Sequence, residues 1–559
     1  MTSFDLKKHL HATVLTLLAL LVLHLVVILY NDLSGFTWRA LTIFTWELPT
    51  IVLAVFALGT SRIGFAFRVI LVAMLTFITA LKGADMAMFA SLTRSFNLVS
   101  DLPLIVSLYQ LVVGALGHVA ALLAVIAAVL SIVGVAAALW WACRHIALLP
   151  KPQVLRPGFA PAVACVGAIF FSGIVITKVG DAMDAWETPV DVPGIAFTAR
   201  IGVERTLETY NTLADLRAFR TASRDDPFAR QGGLFDIVDR DVFVVFIESY
   251  GRASFDTPLY TDLHLETLKE AHGQLEAAGL SMASTFLTSP TQGGQSWLAH
   301  SSFANGLWID NQTSYRAALT SGRQTLFHLA AKAGFHTAAV MPQITLDWPE
   351  AQTMGFDTIL AAEDLGYQGQ PFNWITMPDQ FTYAAADRYL RNPRLGDKRL
   401  FVQVATGSSH APWVPVPELI DWDDLGDGTI FDPVVAQSET PRTIWRDRDR
   451  VRAQYRLAVD YALQAVFAYA ELHAENPPLM LIIGDHQPAG FVALDERPDV
   501  PMHIVGPAHL VDLLADEGFT PGLIPDARTI PRPMSDLRAH VLQSLSSTQV
   551  ADVVVEVVP

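Results

Sequence analysis

The stretch PLMLIIGDH, residues 478–486, decides the fold of this chain because an unbroken apolar run ends in a glycine and two metal-ligand side chains. Such a run is typical of a buried strand, which delivers the next residues to the carboxyl edge of a parallel sheet. In open α/β sheets, sites form at that edge. The carboxylate of Asp485 and the imidazole of His486 suit a divalent cation. Taken alone, the pattern also fits a turn with a hydrogen-bonded histidine.

Two apolar runs upstream end in the same way. Residues 241–247, DVFVVFI, lead into Glu248, and residues 400–404, LFVQV, lead through a short polar segment into His410. Because the carboxyl ends of parallel strands meet at one edge of a sheet, we expect these two side chains to join the aspartate and histidine of the GDH motif. This recurrence strengthens the interpretation as a site.

Helix-like and strand-like patterns alternate after residue 241, which predicts a mostly parallel α/β sheet. Residues 421–449 are polar, acidic and rich in helix breakers, and they are predicted to form a surface insertion. His503 lies in an apolar run and is predicted to be a core histidine. The helical patterns lie at 263–278, 325–333, 381–390 and 451–473, and a further short strand pattern lies at 336–341.

The composition predicts that the first third of the chain is embedded in a membrane. Hydrophobic residues make up 52% of the 559 residues and charged residues 17%, which is too apolar for one soluble protein and too long for one domain. A bilayer span needs about 20 apolar residues. We therefore expect an N-terminal α-helical membrane bundle of five spans, near His11–Tyr30, Leu41–Thr60, Phe67–Phe89, Ile105–Trp141 and Phe159–Val179.

The predicted domains are a five-span membrane domain at 1–180, a connector at 181–238 and a catalytic domain at 239–559. Basic residues are concentrated before the first span, in the second loop and in the fourth loop, and the positive-inside rule then places the N-terminus in the cytoplasm and the last domain outside. These residues are Lys7, Lys8, Arg62, Arg68, Arg144, Lys151 and Arg156.

The net charge of −17 argues against a nucleic-acid partner, because phosphate backbones bind basic surfaces. Both cysteines, Cys143 and Cys165, lie in or beside predicted spans. The predicted exported domain therefore has no disulfide and depends on its hydrophobic core.

The segment TSPTQGGQS, residues 288–296, precedes a short helical pattern at 297–306. One interpretation makes Ser296 a helix N-cap. The other makes Ser296 a nucleophile at a helix N-terminus, where the helix dipole favours an anion. The two interpretations are compatible.

These motifs together, in this order, resemble the sulfatase-like branch of the alkaline phosphatase superfamily. Five spans followed by such a domain resemble lipoteichoic acid synthase and the related bacterial membrane phosphoglycerol transferases. Supporting motifs are Gly355-Phe356-Asp357, Trp374, Pro378-Asp379-Gln380 and the segment 455–460. The resemblance implies a sulfatase-like α/β fold with a mostly parallel central sheet. It implies a metal site of Glu248, Ser296, Asp485 and His486, and a place for His410 beside the phosphate.

The resemblance implies one divalent metal ion, with Mn²⁺ expected and Mg²⁺ or Zn²⁺ as alternatives. It departs at the nucleophile, since the synthases use threonine and sulfatases a Cys/Ser-x-Pro-x-Arg motif that QSWLAH, residues 295–300, lacks. Ser296 is favoured over Thr291 because a glycine follows it ten residues later, as it does after the sulfatase nucleophile. Trp374, Asp379 and Arg252 are candidate substrate-binding residues, with core or capping roles as alternatives.

The implied function is transfer of a phospholipid head group, glycerol phosphate from phosphatidylglycerol, to a cell-envelope glycan or glycolipid through a phosphoryl-serine. The expected partners are the lipid donor, that acceptor and the bilayer, and the expected location is the bacterial cytoplasmic membrane with the catalytic domain on its periplasmic or extracellular side. Alternatives are a phosphoethanolamine transferase, a sulfatase or phosphodiesterase, and a catalytically silent envelope binding protein. The absence of cysteine from the last domain argues against the first alternative.

Overall fold

The protein is described here from a computed structural model that covers residues 3–31, 37–92, 94–150, 158–183, 185–186, 193–346, 348–392 and 397–548. The chain forms two compact units, residues 1–215 and 216–559, and each is considered by itself. The predicted domain boundaries at 180 and 238 stay predictions. Lys151 and Arg156, which entered the orientation argument, lie outside the described residues.

The first unit is helical. Its helices are α1 Ser3–Ile28, α2 Glu47–Leu58, α3 Arg62–Leu92, α4 Leu104–Ala147, α5 Phe159–Ala182 and the start of α6 Phe197–Arg224. Four of these contain stretches long and apolar enough to cross a membrane: Leu10–Ile28, Arg62–Phe89, Leu116–Ala147 and Phe159–Ala182.

The helix found at the second predicted span, 41–60, is shorter than that span. Helix α2 has 12 residues, or about 18 Å at 1.5 Å per residue, against a hydrocarbon core of about 30 Å. The residues before it form a 3₁₀ turn at Ala40–Thr42, and Gly59, at φ 50°, ends it. Among its described residues, the first unit therefore has four apolar helices long enough to cross a membrane and one short one.

Two charged residues of the first unit, Lys82 and Asp85, are buried with polar partners. Lys82 and Asp85 are both 0% exposed. Lys82 donates to Thr198 Oγ1 at 2.7 Å, and Asp85 accepts from Arg205 at 2.7 Å. Because an unpaired buried charge is costly, these contacts allow the unit to hold charge away from water.

The second unit is built on one nine-stranded sheet in the order β4-β3-β5-β1-β6-β7-β2-β8, with β9 also paired to β2. Strands β1, β3, β4, β5 and β6 are parallel, while β7 runs antiparallel to β6 and β2. The strands are β1 Val242–Ile247, β2 Ser281–Thr288, β3 His336–Met341, β4 Thr358–Ala361, β5 Leu400–Ala405, β6 Leu479–Gly484, β7 Asp499–Gly506, β8 Thr520–Pro521 and β9 Arg532–Pro533.

Helices cover both faces of this sheet. The odd-numbered side chains of β1 from Phe243 pack in one hydrophobic core and the even-numbered ones from Val242 in the other, as the two-residue repeat of a strand requires. The unbroken apolar run 242–247 is explained by this burial on both faces. The helices are α7 Ala253–Asp256, α8 Pro258–Ala277, α9 Ser296–Asn305, α10 Gln312–Thr320, α11 Leu326–Lys332, α12 Asp379–Leu390, α13 Asp432–Gln437, α14 Pro441–Ile444, α15 Arg448–Leu472, α16 Gly490–Ala493, α17 Ala508–Leu514 and α18 Leu537–Ser544.

The predicted alternation and the mostly parallel sheet are confirmed. The surface insertion at 421–449 is more ordered than predicted, because it contains α13 and α14 and buries Phe431 and Ile444. Strand β2 was not predicted, since SMASTFLT mixes hydroxyl and apolar residues without an apolar run. Its pairing with β7 provides the order that its own pattern lacks.

Candidate metal centre and active site

Three adjacent parallel strands end at one edge of the sheet and bring the candidate ligands together. Glu248 follows β1, and Asp485 and His486 follow β6, which pairs with β1 through the partners Ile247 and Gly484. One ligand atom of each of the three side chains lies within 4.8 Å of the others, and all three are buried. The convergence predicted from separate strand ends is therefore present.

A tight approach between two loops produces this convergence. A Cβ added at Gly484 would lie 1.8 Å from the carbonyl oxygen of Tyr250, so only glycine allows the two backbones to come this close. Ser249 is left-handed, at φ 57°. Its N–H donates to Asp485 Oδ1 at 2.8 Å, and its hydroxyl donates to Glu248 Oε1 at 3.0 Å. Ser249, which the sequence argument did not single out, thus orients both carboxylates.

The hydrogen bonds of His486 leave one ring nitrogen for a cation. Its Nδ1 lies 2.8 Å from the carbonyl oxygen of Gln487, which can only accept, so Nδ1 carries the proton. Nε2 lies 3.2 Å from Glu248 Oε1. Within the described residues, Asp485 Oδ2 and His486 Nε2 are buried without a hydrogen bond. Oxygen and nitrogen lone pairs that face one another in this way fit a divalent cation between them.

The pKa values show how strongly these groups interact. Burial opposes ionisation of Glu248, but the charges of His486 and His410 outweigh it and hold the pKa of the Glu248 carboxyl well below its usual range. Burial and the charge of Glu248 raise the pKa of Asp485 well above its usual range. Burial lowers the pKa of His486, but Asp485 and Glu248 outweigh it and raise that pKa to about 9. Protons on Asp485 and His486 thus offset the negative charge of the cluster, and a bound metal ion would displace these protons.

Ser296 lies directly beside this cluster. It is the first residue of α9, and its hydroxyl donates to Glu248 Oε2 at 2.8 Å. The N-cap of α9 is Gln295, at φ 66°, and it makes no side-chain capping bond. The N-cap interpretation of Ser296 is therefore wrong, and its hydroxyl faces the predicted metal ligands instead.

Thr291, the alternative nucleophile, is occupied elsewhere. Its hydroxyl donates to the carbonyl oxygen of Gly294 at 2.6 Å and closes the turn before α9. Gly293 donates its N–H to the carbonyl oxygen of Gln487 at 2.8 Å, which joins this turn to the GDH loop. The two loops therefore place Ser296, rather than Thr291, against the carboxylate of Glu248.

His410 follows β5, the neighbour of β1 on the other side. It is half-buried, and its Nδ1 donates to the carbonyl oxygen of Ala411 at 2.5 Å, which leaves Nε2 as the available nitrogen. Its charge acts on Glu248. The hydroxyl of Ser409 donates to the carbonyl oxygen of Glu248 at 2.6 Å and connects the His410 loop to the end of β1.

The structure does not place Asp379 in contact with solvent. Asp379 is 0% exposed, and its Oδ1 accepts from the backbone N–H groups of Gly407 and Ser408, both at 2.8 Å. Its backbone N–H donates in turn to the Ser408 hydroxyl at 2.9 Å. Burial raises the pKa of Asp379 to about 6. Asp379 supports the loop that carries His410. Because its side chain is fully buried, it does not reach a surface where it could make the predicted contact with a substrate.

The other two candidate substrate residues differ in exposure. Trp374 is 57% exposed and follows Asn373, whose side chain donates to the carbonyl oxygen of Val414 at 2.6 Å. Arg252 is 3% exposed, pairs with Asp256 at 2.8 Å and lies over the ring of Phe286 at 3.8 Å. Trp374 is open to a ligand, whereas the donors of Arg252 are used in packing.

His300, one helical turn after Ser296 on α9, lies near the site. Its ring packs at a tilt of 34° against Phe246 with centroids 4.1 Å apart, and Nε2 is buried without a hydrogen-bond partner in the described residues. Burial lowers its pKa to about 4, with opposing contributions from Glu248 and His486. His503 is a core residue as predicted. Its Nε2 lies 3.1 Å from the hydroxyl of Tyr250, and its Nδ1 lies 2.8 Å from the hydroxyl of Ser284.

Residues 240–502 match the sequence model of the family described as Sulfatase. No curated protein matches the sequence significantly. Similar solved structures include lipoteichoic acid synthase LtaP from Listeria monocytogenes, with 13% identity, a TM-score of 0.35, and coverage of 60% of this chain and 79% of that one. Another is Streptococcus pyogenes phosphoglycerol transferase GacH in complex with sn-glycerol-1-phosphate, with 14% identity, a TM-score of 0.37, and coverage of 60% of this chain and 82% of that one. A third is phosphonate monoester hydrolase of Agrobacterium radiobacter, with 12% identity, a TM-score of 0.33, and coverage of 55% of this chain and 73% of that one.

Proposed function

We propose that this chain, which carries a sulfatase-family domain at residues 240–502, is a membrane-anchored, metal-dependent phosphotransferase. The observation that carries the proposal is the hydroxyl of Ser296 at 2.8 Å from Glu248, within a cluster completed by Asp485 and His486. The apolar helices of the first unit support attachment to a membrane. The basic loops favour the outer face of the bacterial cytoplasmic membrane for the catalytic domain.

Glu248, Asp485 and His486 would hold one divalent cation, with the Ser296 hydroxyl beside it. Such a cation lowers the pKa of a neighbouring hydroxyl and offsets the negative charge of a phosphoryl group. Two carboxylates and one imidazole are compatible with Mn²⁺, which we favour, and with Mg²⁺ or Zn²⁺.

The residues of the chain then have separate tasks in a two-step transfer. Ser296 Oγ forms a bond to phosphorus as the bond from phosphorus to the leaving alkoxide breaks. The hydroxyl proton of Ser296 passes to Glu248 Oε2, its hydrogen-bond acceptor, which returns it in the second step, and His410 supplies the proton that the alkoxide needs. The hydrogen bond to Glu248 directs the serine lone pairs toward the substrate. In the second step an acceptor hydroxyl attacks the phosphoryl-serine, Ser296 regains a proton, and His410 takes the proton of the acceptor.

The donor we favour is phosphatidylglycerol, which would leave diacylglycerol and transfer glycerol phosphate. The acceptor would be a hydroxyl group of a cell-envelope glycan or glycolipid. The motifs that resemble membrane phosphoglycerol transferases support this choice, and so does a reaction site in a membrane protein, where a lipid donor is at hand.

The test is to incubate the full-length protein with head-group-labelled phosphatidylglycerol and to follow release of diacylglycerol. Ser296→Ala removes the nucleophile and is expected to lower turnover by at least about 10³-fold, while Ser296→Thr keeps a hydroxyl and retains part of the activity. Mass spectrometry should find a glycerol-phosphoryl adduct on the peptide that contains Ser296.

Thr291→Ala is the matched control, because it removes a nearby hydroxyl that closes a turn and leaves Ser296 in place. Its turnover should stay within about tenfold of wild type. An adduct on Thr291, or full turnover in Ser296→Ala, would reject Ser296 as the nucleophile. Release of free glycerol phosphate as the main product would favour a phosphodiesterase instead.

A further inference from the structure

The segment 421–456, made of the surface insertion and the first turns of α15, separates its charges into two halves. Residues 421–439 contain six acidic residues and no basic one, whereas residues 442–456 contain six arginines and two aspartates, in a chain of net charge −17. Within the described residues, the ion pair of Arg450 with Glu439 is the one that joins the halves. Arg452 pairs with Asp449 at 2.7 Å. The basic half is therefore an exception on an acidic protein.

Three exposed arginines of this half have no ion pair in the part of the chain that the structure describes, and the half-buried Arg456 has none either. Arg442, Arg446 and Arg448 are exposed, and they flank Trp445, which is 43% exposed. Arg448 contacts the ring of Phe491 at 5.7 Å. Asp447 lies between them in sequence, but its carboxylate accepts the N–H of Asp449 as the cap of α15. We call Arg442, Trp445, Arg446 and Arg448 the basic patch.

The basic patch contacts the two loops that carry residues of the candidate site. The indole N–H of Trp445 donates to the carbonyl oxygen of Pro412 at 3.3 Å, and its ring stacks on Trp413 at 5.7 Å and 4°. The same ring lies 6.3 Å from Phe491 in α16. Pro412 and Trp413 follow His410, and α16 follows the GDH loop, so the basic patch rests on both loops that carry site residues.

We propose that the basic patch docks the catalytic domain on the anionic head groups of a phospholipid surface. Guanidinium groups bind phosphate oxygens in pairs, and tryptophan prefers the membrane–water interface, where one side of its ring is apolar and the other is wet. Basic residues near an anionic leaflet are attracted to it. The choice of a lipid surface rests on the proposed lipid donor, because docking there would bring the head group to Ser296.

The test uses the full-length protein in nanodiscs of phosphatidylcholine alone, of phosphatidylcholine with phosphatidylglycerol, and of phosphatidylcholine with phosphatidylserine. Backbone hydrogen exchange of residues 440–450 should slow in both anionic discs relative to the neutral disc, because the attraction depends on charge and not on the donor head group. Arg442→Glu, Arg446→Glu and Arg448→Glu together should abolish the difference. Arg316→Glu, an exposed arginine on α10, is the matched control and should leave it unchanged.

Equal exchange in all three discs would overturn docking and leave the proposed function standing. Slowing in phosphatidylglycerol discs alone would also overturn it, because that result indicates donor binding. Slowing only after addition of an acidic glycan would assign the basic patch to the acceptor and reject the lipid surface. Slowing in both anionic discs without diacylglycerol release from phosphatidylglycerol would uphold docking and reject the proposed donor.

Discussion

Asp379 illustrates how a single residue can take a supporting position beside a site. Its buried carboxylate holds the backbone of Gly407 and Ser408, just before His410. Burial raises its pKa from 3.8 to about 6. Between these values the folded protein binds more protons than the unfolded chain, so this contribution to stability is present at acid pH and is lost as the pH rises through about 6.

We expect Asp379→Asn to gain stability relative to wild type, by about 2 kcal/mol, as the pH rises from about 4 to 7. The amide keeps an acceptor for both backbone N–H groups but cannot ionise. The measurement is the free energy of unfolding of the full-length protein in detergent at the two pH values. Asp379→Ala, which removes the acceptor, should be destabilised at both. A difference between Asp379→Asn and wild type that stays constant with pH would contradict this account.

At the residue scale, chemical type was predictable and contact was not. The pattern GDH identified two ligand side chains, and the helix after a glycine turn identified Ser296. Whether Ser296 capped its helix or faced Glu248 depended on the left-handed Gln295 before it, which no periodicity reveals. Arg252 had the right charge for a phosphate, yet Asp256 and Phe286 occupy it.

The site depends on the paired strands β1 and β6, because its candidate ligands directly follow the ends of these two strands. Gly484→Ala would place a Cβ 1.8 Å from the Tyr250 carbonyl oxygen. Because this oxygen belongs to the backbone and cannot rotate away, the two loops must separate. We expect a loss of about 3 kcal/mol in the free energy of unfolding. Elemental analysis should also show less bound metal, since Glu248 and Asp485 follow the two strands directly.

Gly273→Ala in α8 is the control, because nothing lies within 4 Å of the added methyl group. Alanine favours a helix over glycine by about 1 kcal/mol, so this variant should be slightly more stable and keep its metal. Wild-type stability and metal content in Gly484→Ala would show that the two loops need no close approach.

At the element scale, runs that are apolar apart from the buried Gln403 identified β1, β5 and β6, because strands buried on both faces are mostly apolar. The same logic missed β2, whose order comes from its neighbours. Helices with a clear apolar face were found, and α15, predicted at 451–473, runs from Arg448 to Leu472.

At the scale of the whole molecule, the short α2 decides the orientation of the chain. If α2 crosses the bilayer with the four longer helices, the chain has five spans and its ends lie on opposite sides. If it does not, four spans place both ends on the same side. We favour five spans, because Lys7 and Lys8 precede the first one and basic residues favour the cytoplasm.

A topology reporter fused before Met1 should therefore be active in the cytoplasm, and one fused after Pro559 should be active only outside. A reporter near Lys151 should report the cytoplasm. This third fusion is a control, since an outside C-terminus requires it with four spans or five. Activity of the first two reporters on the same side would show that α2 does not cross.

The sequence by itself determined the two-part architecture, the resemblance of residues 240–502 to the sulfatase family and the identity of the candidate ligands, because apolar length, strand burial and ligand chemistry are local properties of a chain. Tertiary structure alone decided which side chains meet. The sheet order brings β5, β1 and β6 together from positions far apart in the chain, and Gly484 lets two backbones approach. Asp379 is held by Gly407 and Arg252 lies against Phe286, and both of these neighbours are distant in sequence. Contacts of this kind depend on strand pairing and burial across the fold, which no local pattern encodes.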